Sequence, residues 1–281
     1  MTTPFGERVR AVLDERGPLC VGIDPHAALL DAWGLGQDAA GAREFGLRTV
    51  AAAAGRAGIV KPQVSFFERF GSAGFAALEE VLAAARAADL LVIADAKRGD
   101  IGTTMDAYAA AWLSPGSPLE ADALTVNPYL GVGALDGTFE LALEHGKGVF
   151  VLAATSNSEA LTLQRSVSAT GRSVAADVVA VVSARNAESA QTGEWGSIGF
   201  VIGATVDWTD AGLAAFTPPA PILAPGFGAQ GATAADLHRR FGSMSRSVVA
   251  SESRSILAAG PDGLEAAIDA RVADYREAHR G

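Results

Sequence analysis

The chain has 281 residues, 49% of them hydrophobic and 19% charged, and a formal net charge of −10. Such an acidic balance argues against binding to nucleic acid or to anionic membranes, although a few convergent cations can still bind a small anion. Because α/β barrels commonly contain about 250 residues, the length predicts a single catalytic domain over residues 1–281.

The scarce cysteine and histidine residues exclude several kinds of site. Cys20 is the only cysteine, and its apolar neighbours predict a buried thiol and not a nucleophile. The four histidines are scattered, without the spacing of a zinc motif, so we expect neither a metal nor a cofactor. The charged N-terminal segment is unlike a secretion signal, and no apolar run approaches the roughly 20 residues of a membrane span. Both features predict a cytoplasmic protein.

Short apolar runs alternate with Ala-rich segments along the chain. Runs without apolar/polar alternation are typical of parallel strands buried on both faces. The predicted strands span 19–24, 58–63, 90–96, 123–127, 148–155, 198–204, 221–226 and 247–253, and predicted helices span 39–57, 73–88, 173–189, 232–241 and 264–280. A strand and a helix repeated eight times predict an α/β fold, the (β/α)8 TIM barrel; an open doubly wound sheet is the alternative.

Polar residues fall where these strands end, which is where a barrel of this kind carries its active site. On this ground the candidate site residues from strands one to five are Asp24, Lys61, Asp95, Lys97, Asp100, Asn127 and Ser156. Strands seven and eight contribute Pro225 and Arg254. A lone charge such as Asp24 could equally be a helix cap or a satisfied loop residue.

The third strand carries the strongest indication of chemistry. Asp95 and Lys97 lie two residues apart and project to the same side of an extended chain, and Asp100 follows three residues later. A structural ion pair accounts for one carboxylate and one amine, but not for this cluster with Lys61 nearby. Neighbouring carboxylates favour the ammonium form of Lys97, which could protonate a developing carbanion. Asp95 would repel a substrate carboxylate and favour its loss.

The segment 225–231, Pro-Gly-Phe-Gly-Ala-Gln-Gly, contains a literal G-x-G-x-x-G. A dinucleotide-binding fold is rejected because that motif should open a βαβ unit, and only one further strand follows here. In a barrel, the loops after strands seven and eight form the usual phosphate site. The glycines would let backbone N–H groups approach an anion, and we expect Arg254 to be a phosphate ligand and not half of a surface salt bridge.

These motifs resemble those of orotidine 5′-phosphate decarboxylases. The stretch 94–104, Ala-Asp-Ala-Lys-Arg-Gly-Asp-Ile-Gly-Thr-Thr, is similar to that family's most specific motif. Further similar stretches lie at 21–25, 60–63, 125–131, 155–157 and 224–231, in the family's order and over nearly the whole chain. The Asn-Pro-Tyr-Leu-Gly element at 127–131 and the length resemble the longer bacterial subfamily, type 2.

The resemblance implies conversion of orotidine 5′-phosphate to uridine 5′-monophosphate (UMP) and CO2, in de novo pyrimidine biosynthesis, with Lys97 donating a proton to C6. It also implies a homodimer in which Asp100, Ile101 and Thr104 reach the partner's site. Asp95 would face the departing carboxylate, and Lys61 and Asp100 would complete an alternating charge network. The remaining implied contacts are Asp24, Lys61, Asp100 and Thr104 on ribose, Ile101 beside the carboxylate, Ser156 on the pyrimidine, Gln230 on base and phosphate, and Arg254 on phosphate. Asn127 is placed only in the site mouth.

One departure from the family pattern concerns the phosphate contact. The residue before Arg254 is often glycine in this family but is Ser253 here, so its Cβ is expected to crowd the phosphate. Residues 206–208 after strand six also continue unusually, and no role is assigned to them.

Two rival functions share this architecture. A magnesium-dependent sugar-phosphate decarboxylase or synthase would share Asp-x-Lys-x-x-Asp, but it would want an acidic ligand where the second strand offers Lys61. A non-catalytic nucleotide-binding barrel would be expected to carry a damaged charge cluster, and the cluster at Asp95, Lys97 and Asp100 is intact.

Overall fold

The computed structural model describes residues 2–280, over which eight parallel strands close into a barrel in chain order. The strands are β1 (Leu19–Ile23), β2 (Ile59–Pro62), β3 (Leu91–Arg98), β4 (Ala123–Val126), β5 (Gly148–Ala154), β6 (Ile198–Ile202), β7 (Ile222–Pro225) and β8 (Val248–Glu252). β8 pairs with β1 and closes the sheet. The predicted barrel is confirmed, and every predicted strand lies within two residues of an observed one at each end.

Helices on the outside connect most of the strands. They are α1 (Phe5–Arg16), α2 (Ala27–Ala32), α3 (Ala39–Ala53), α4 (Ser65–Glu68), α5 (Gly71–Ala87), α6 (Gly102–Leu113), α7 (Asp136–Glu144), α8 (Leu161–Gln164), α9 (Val174–Ser189), α10 (Leu237–Phe241), α11 (Arg254–Leu257) and α12 (Gly260–Arg280). None of the helices between residues 2 and 280 is long and apolar enough to cross a membrane.

Two details of the predicted helices were wrong. The predicted helix 232–241 is a 3-10 turn, Ala234–Asp236, followed by the short α10. No helix lies between β6 and β7, where residues 203–221 form turns and loop. Pro218, Pro219 and Pro221 near the end of that segment cannot donate the backbone hydrogen bonds of a helix. Trp208 and Phe216 instead cover the core, through edge contacts with Phe241 and Phe200.

The inner face of the barrel changes from apolar to polar along the strands. Side chains of a strand alternate between its two faces, so Ile59 and Lys61 share the inner face, as do Ile93 and Asp95. The first member of each pair belongs to a buried apolar cluster, which α1 covers at the N-terminal ends of the strands. Phe5 of α1, for example, packs edge-on against Phe150 of β5 at 6.0 Å between ring centroids. Lys61 and Asp95 therefore lie nearer to the C-terminal ends of the strands than this apolar cluster does.

Cys20 lies within this apolar cluster and is fully buried. Burial raises the pKa of its thiol to about 12. Since the thiolate is the reactive form, the thiol should be inert in the native barrel.

We expect iodoacetamide to leave the native protein unmodified at mildly alkaline pH and to add once per chain in concentrated guanidinium chloride, because Cys20 is the only thiol. Mass spectrometry of both samples measures this. Rapid alkylation of the native protein, with its circular dichroism unchanged, would contradict the burial of Cys20.

Candidate active site

A cavity of about 290 Å³ opens at the C-terminal ends of the strands. Seven of the predicted site residues line it, namely Asp24, Lys61, Asp95, Lys97, Pro225, Gln230 and Arg254. They come from β2, β3, β7 and the segments that follow β1, β7 and β8. Residues far apart in sequence converge because parallel strands end on the same side of the barrel.

The centre of the cavity is a carboxylate between two amines. Lys61 Nζ lies 2.8 Å from one Asp95 carboxylate oxygen, and Lys97 Nζ lies 2.5 Å from the other. The side chains of Asp95 and Lys61 are 9% and 7% exposed, whereas Lys97 is 44% exposed. Lys97 is thus the most exposed member of the array.

The charges of this array hold one another in the ionised state. Burial by itself raises the pKa of the Asp95 carboxyl, but the charges of Lys61 and Lys97 outweigh burial and hold that pKa below its ordinary range. Burial lowers the pKa of the Lys61 amine, yet the carboxylates of Asp95 and Asp24 outweigh burial and raise it. At neutral pH Asp95 is therefore a carboxylate and Lys61 an ammonium.

The backbone at Lys97 has an uncommon conformation. Its φ of +49° lies in the left-handed region, which side-chain-bearing residues adopt at a cost and often at functional sites. The pairing of β3 with β4 is also irregular between Ala94 and Arg98. The amide of Lys97 donates instead to the hydroxyl of Thr125 on β4, at 2.9 Å.

Asp24 at the end of β1 has one oxygen engaged and one free. The Ser253 hydroxyl donates to Asp24 Oδ2. Asp24 Oδ1 is buried and accepts no hydrogen bond from the residues the structure describes, so its capacity as an acceptor is unused within this part of the chain.

Ser253, the residue at which this chain departs from the family pattern, lines the cavity next to Arg254 and contacts Asp24. Its φ of −137° does not require glycine, and its hydroxyl is directed at Asp24. Space for this side chain exists because Gly22 of β1 lacks a Cβ, which would lie 2.6 Å from the Cβ of Ser253.

The loops after β7 and β8 form the other end of the cavity. Gly226 and Gly228 have φ values of +116° and +69°, which glycine adopts without strain. Gln230 accepts a hydrogen bond from the hydroxyl of Ser156 after β5, at 3.2 Å. Arg254 is exposed, and its guanidinium makes no ion pair with any residue from 2 to 280, so it is not half of a surface salt bridge; its contact with phosphate stays a prediction.

Five predicted residues do not line the cavity of their own chain, although one of them, Ser156, contacts the lining residue Gln230. Asp100, Ile101 and Thr104 lie at or just before the start of α6, and Ile101 is 62% exposed. Asn127 is exposed, and its side-chain oxygen accepts the amide of Tyr129. None of the five makes a hydrogen bond or ion pair with the Lys61–Asp95–Lys97 array among residues 2–280.

Sequence reasoning missed three polar residues of the site. Gln63 lines the cavity and donates to the Asp95 carbonyl at 3.2 Å, Thr125 contacts Asp95, and Ser251 of β8 lines the cavity. Thr125 is the only polar residue of β4, and this is the sequence feature that could have indicated its place in the site. That signal is weak, because threonine is also a common strand former.

A larger cavity of about 740 Å³ lies elsewhere, between the loop after β7 and α12. Its buried carboxylate, Glu252, already accepts hydrogen bonds from Tyr275 and Ser255 at 2.6 Å each. With its central charge satisfied inside the fold, this larger space is a weaker candidate for chemistry than the smaller cavity.

No group of three His, Cys, Asp or Glu side chains among residues 2–280 is placed to hold a metal ion. A magnesium-dependent relative would need an acidic ligand at the position that Lys61 occupies beside Asp95. The array instead supplies fixed charges of both signs around a reachable ammonium, an arrangement suited to electrostatic stabilisation and proton donation.

Known proteins with this sequence pattern and fold point to one family. The family model for orotidine 5′-phosphate decarboxylase / HUMPS proteins matches residues 17–269. A Salinispora tropica protein named orotidine 5′-phosphate decarboxylase is 52% identical over 279 residues, covering 99% of each chain. One of the same name from Streptomyces coelicolor is 51% identical over 280 residues, covering 98% of each.

Solved structures agree with these relatives. The crystal structure of a Streptomyces avermitilis protein assigned as an orotidine 5′-phosphate decarboxylase superposes with a TM-score of 0.94 at 49% identity, covering 100% of this chain and 97% of that one. The Leishmania donovani OMP decarboxylase superposes with a TM-score of 0.80 at 28% identity, covering 99% and 100%. With a family match over most of its length and relatives above 50% identity, this chain belongs to the orotidine 5′-phosphate decarboxylase / HUMPS family.

Proposed function

We propose that this protein is an orotidine 5′-phosphate decarboxylase, which releases CO2 from its substrate and forms UMP. The observation that carries the proposal is the Lys61–Asp95–Lys97 array, in which a buried carboxylate is held between two amines that line the cavity, with the Lys97 amine the more exposed of the two. The names of the relatives at 51–52% identity support the same activity.

In the proposed reaction, the bond between C6 and the substrate carboxyl carbon breaks and leaves its electron pair on C6. The ammonium of Lys97 stabilises that developing charge and then donates a proton to C6, which completes UMP. The half-exposed Lys97 amine takes a new proton from solvent. Lys61, held on the far side of Asp95, keeps its charge throughout the cycle.

The role proposed for Asp95 is electrostatic. A fixed carboxylate disfavours a second carboxylate beside it, and this repulsion ends when CO2 leaves. Because Lys61 and Lys97 keep Asp95 ionised, the repulsion is present over the ordinary pH range. Only interactions that favour the transition state over the bound substrate accelerate the reaction.

The rest of the nucleotide is assigned along the cavity. Asp24, through its free oxygen, and Lys61 bind ribose hydroxyls, and Ser156 binds the pyrimidine edge. Gln230 lies between base and phosphate, while Arg254 binds phosphate beside Pro225. The hydrogen bond between Ser156 and Gln230 supports the view that both face the same part of the nucleotide.

We further propose a cytoplasmic homodimer, each chain a single catalytic domain, that acts in de novo pyrimidine biosynthesis. In the dimer, Asp100, Ile101 and Thr104 would reach the partner's cavity. Ile101, Tyr129 and Leu130 are large apolar side chains left 54–73% exposed. Exposed apolar groups of this size support a contact with another chain.

The direct test measures the loss of orotidine 5′-phosphate absorbance with purified protein dialysed against a chelator, without added metal. Rapid conversion to UMP supports the proposal. No conversion, together with activity on a sugar phosphate once magnesium is restored, would instead favour the magnesium-dependent rival and overturn the role of Lys61.

Lys97→Ala should abolish measurable decarboxylation, because a positioned proton donor contributes about 10²- to 10⁴-fold to the rate. UMP binding should remain largely intact, since the role of Lys97 lies in the transition state. Stopped assays for turnover and calorimetry for UMP measure both. Unchanged turnover would overturn the assignment of Lys97, and a non-catalytic nucleotide-binding barrel would show the same UMP binding with no wild-type turnover.

Arg254→Ala should raise KM by about 10- to 100-fold with a smaller effect on kcat, because it removes a charge-assisted hydrogen bond to phosphate. Steady-state kinetics measure both constants. Arg48→Ala is the matched control, since Arg48 lies on α3 in an exposed pair with Glu44. A normal KM for Arg254→Ala would mean that another group binds the phosphate.

Mixing inactive Asp100→Ala and Lys97→Ala subunits should restore about a quarter of the wild-type activity, because random exchange makes half of the dimers hybrid and each hybrid has one whole site. Mixing Lys61→Ala with Lys97→Ala is the control, since both lysines lie in the same chain's cavity and no whole site forms. Absence of recovery in the first mixture, despite demonstrated exchange, would argue for self-contained sites.

A further inference from the structure

The hydroxyl of Thr125 contacts both Asp95 and Lys97. Thr125 lies in β4 and is fully buried. Its hydroxyl is 3.0 Å from Asp95 Oδ1, the oxygen that also contacts Lys97 Nζ, and 2.9 Å from the backbone nitrogen of Lys97. One hydroxyl thus contacts the side chain of the first residue and the main chain of the second.

The chemistry of the partners fixes the direction of both hydrogen bonds. A backbone amide can only donate, so the Thr125 oxygen accepts the Lys97 N–H. The Thr125 proton is then free to be given to Asp95, which accepts it as a carboxylate. The hydroxyl therefore favours the ionised form of Asp95 and fixes the position of one carboxylate oxygen.

The hydrogen bond from the Lys97 amide to the Thr125 hydroxyl takes the place of a strand hydrogen bond at an irregular part of the backbone. Lys97 has a φ of +49°, and the strand pairing shifts between Ala94 and Arg98. At this shift the Lys97 amide has no strand partner and donates to Thr125 instead. Such conformations persist only where the surroundings hold them. The direction in which the Lys97 side chain leaves the strand depends on this backbone.

We propose that Thr125 is a positioning residue that sets the geometry of the Asp95–Lys97 pair through its hydroxyl, and this inference rests on the proposed decarboxylase activity. Thr125 does not line the cavity, so it acts through its two partners and not on the substrate. The competing explanation is that threonine only fills the barrel interior with a β-branched side chain, a role that valine would serve equally.

The test compares three variants by kcat, KM, melting temperature and UMP affinity. Thr125→Val keeps the shape but removes the hydroxyl. It should lower kcat by about 10- to 100-fold, the loss typical of a small misplacement of catalytic groups, with KM and UMP affinity nearly unchanged. Thr125→Ser keeps the hydroxyl and should recover most of kcat.

Thr138→Val is the matched control. Thr138 in α7 is also fully buried, but its hydroxyl has no hydrogen-bond partner among the described residues. The exchange from hydroxyl to methyl is the same in both places, so Thr138→Val should leave kcat unchanged. Should Thr125→Val fail to fold, Thr125→Cys, a weaker donor and acceptor of similar size, replaces it with the same expected direction.

The outcomes separate this inference from the proposed function. Suppose that the wild type is active and that Thr125→Val folds. If this variant keeps its kcat, whether or not its KM rises, the positioning role is overturned while the decarboxylase assignment stands. An equal loss in Thr138→Val would also overturn it, because any buried hydroxyl would then matter. If the wild type does not convert orotidine 5′-phosphate, the proposed function fails and this inference fails with it.

Discussion

The site depends on one interaction, the buried Asp95 carboxylate held between Lys61 and Lys97. An isolated carboxylate at this depth would be costly, and losing one partner of a buried pair typically costs about 3–5 kcal/mol. Lys61 is equally buried and in turn needs Asp95 and Asp24. Each charge is thus stable only because the others are present. The array lies in an interior where charges cannot rearrange freely, which is the condition under which fixed charges act most strongly on a reaction.

The barrel makes this array possible by separating apolar and polar layers. The inner positions near the N-terminal ends of the strands, such as Ile59 and Ile93, form an apolar cluster covered by α1. Two residues further along the same strands, the same face carries Lys61 and Asp95. Because every second side chain of a strand lies on the same face, the packed core and the charged site are only two residues apart along each of these strands. Departures from the ideal barrel, such as the helix-free connection from β6 to β7, occur where other side chains supply the missing cover.

Side chains from neighbouring strands hold the charged residues of the site in position. Thr125 on β4 contacts both Asp95 and the backbone of Lys97, and Ser253 after β8 contacts Asp24 on β1. Ser253 occupies space that Gly22 leaves open. These contacts join residues more than 25 positions apart in sequence. They are properties of strand adjacency and register, which the closed barrel determines.

The sequence by itself determined the barrel, its strands and the charged residues that line the cavity, because continuous apolar runs and polar strand ends are local patterns that the parallel fold requires. Asp24, Lys61, Asp95, Lys97 and Arg254 could be named in this way. It did not determine the turns after β6, since tertiary packing by Trp208 and Phe216 took the place of a helix. It also could not show that Thr125 is more than a strand former or that Ser253 faces Asp24. Those facts depend on which strands lie side by side and on side-chain direction across them, and only the closed tertiary structure decides both.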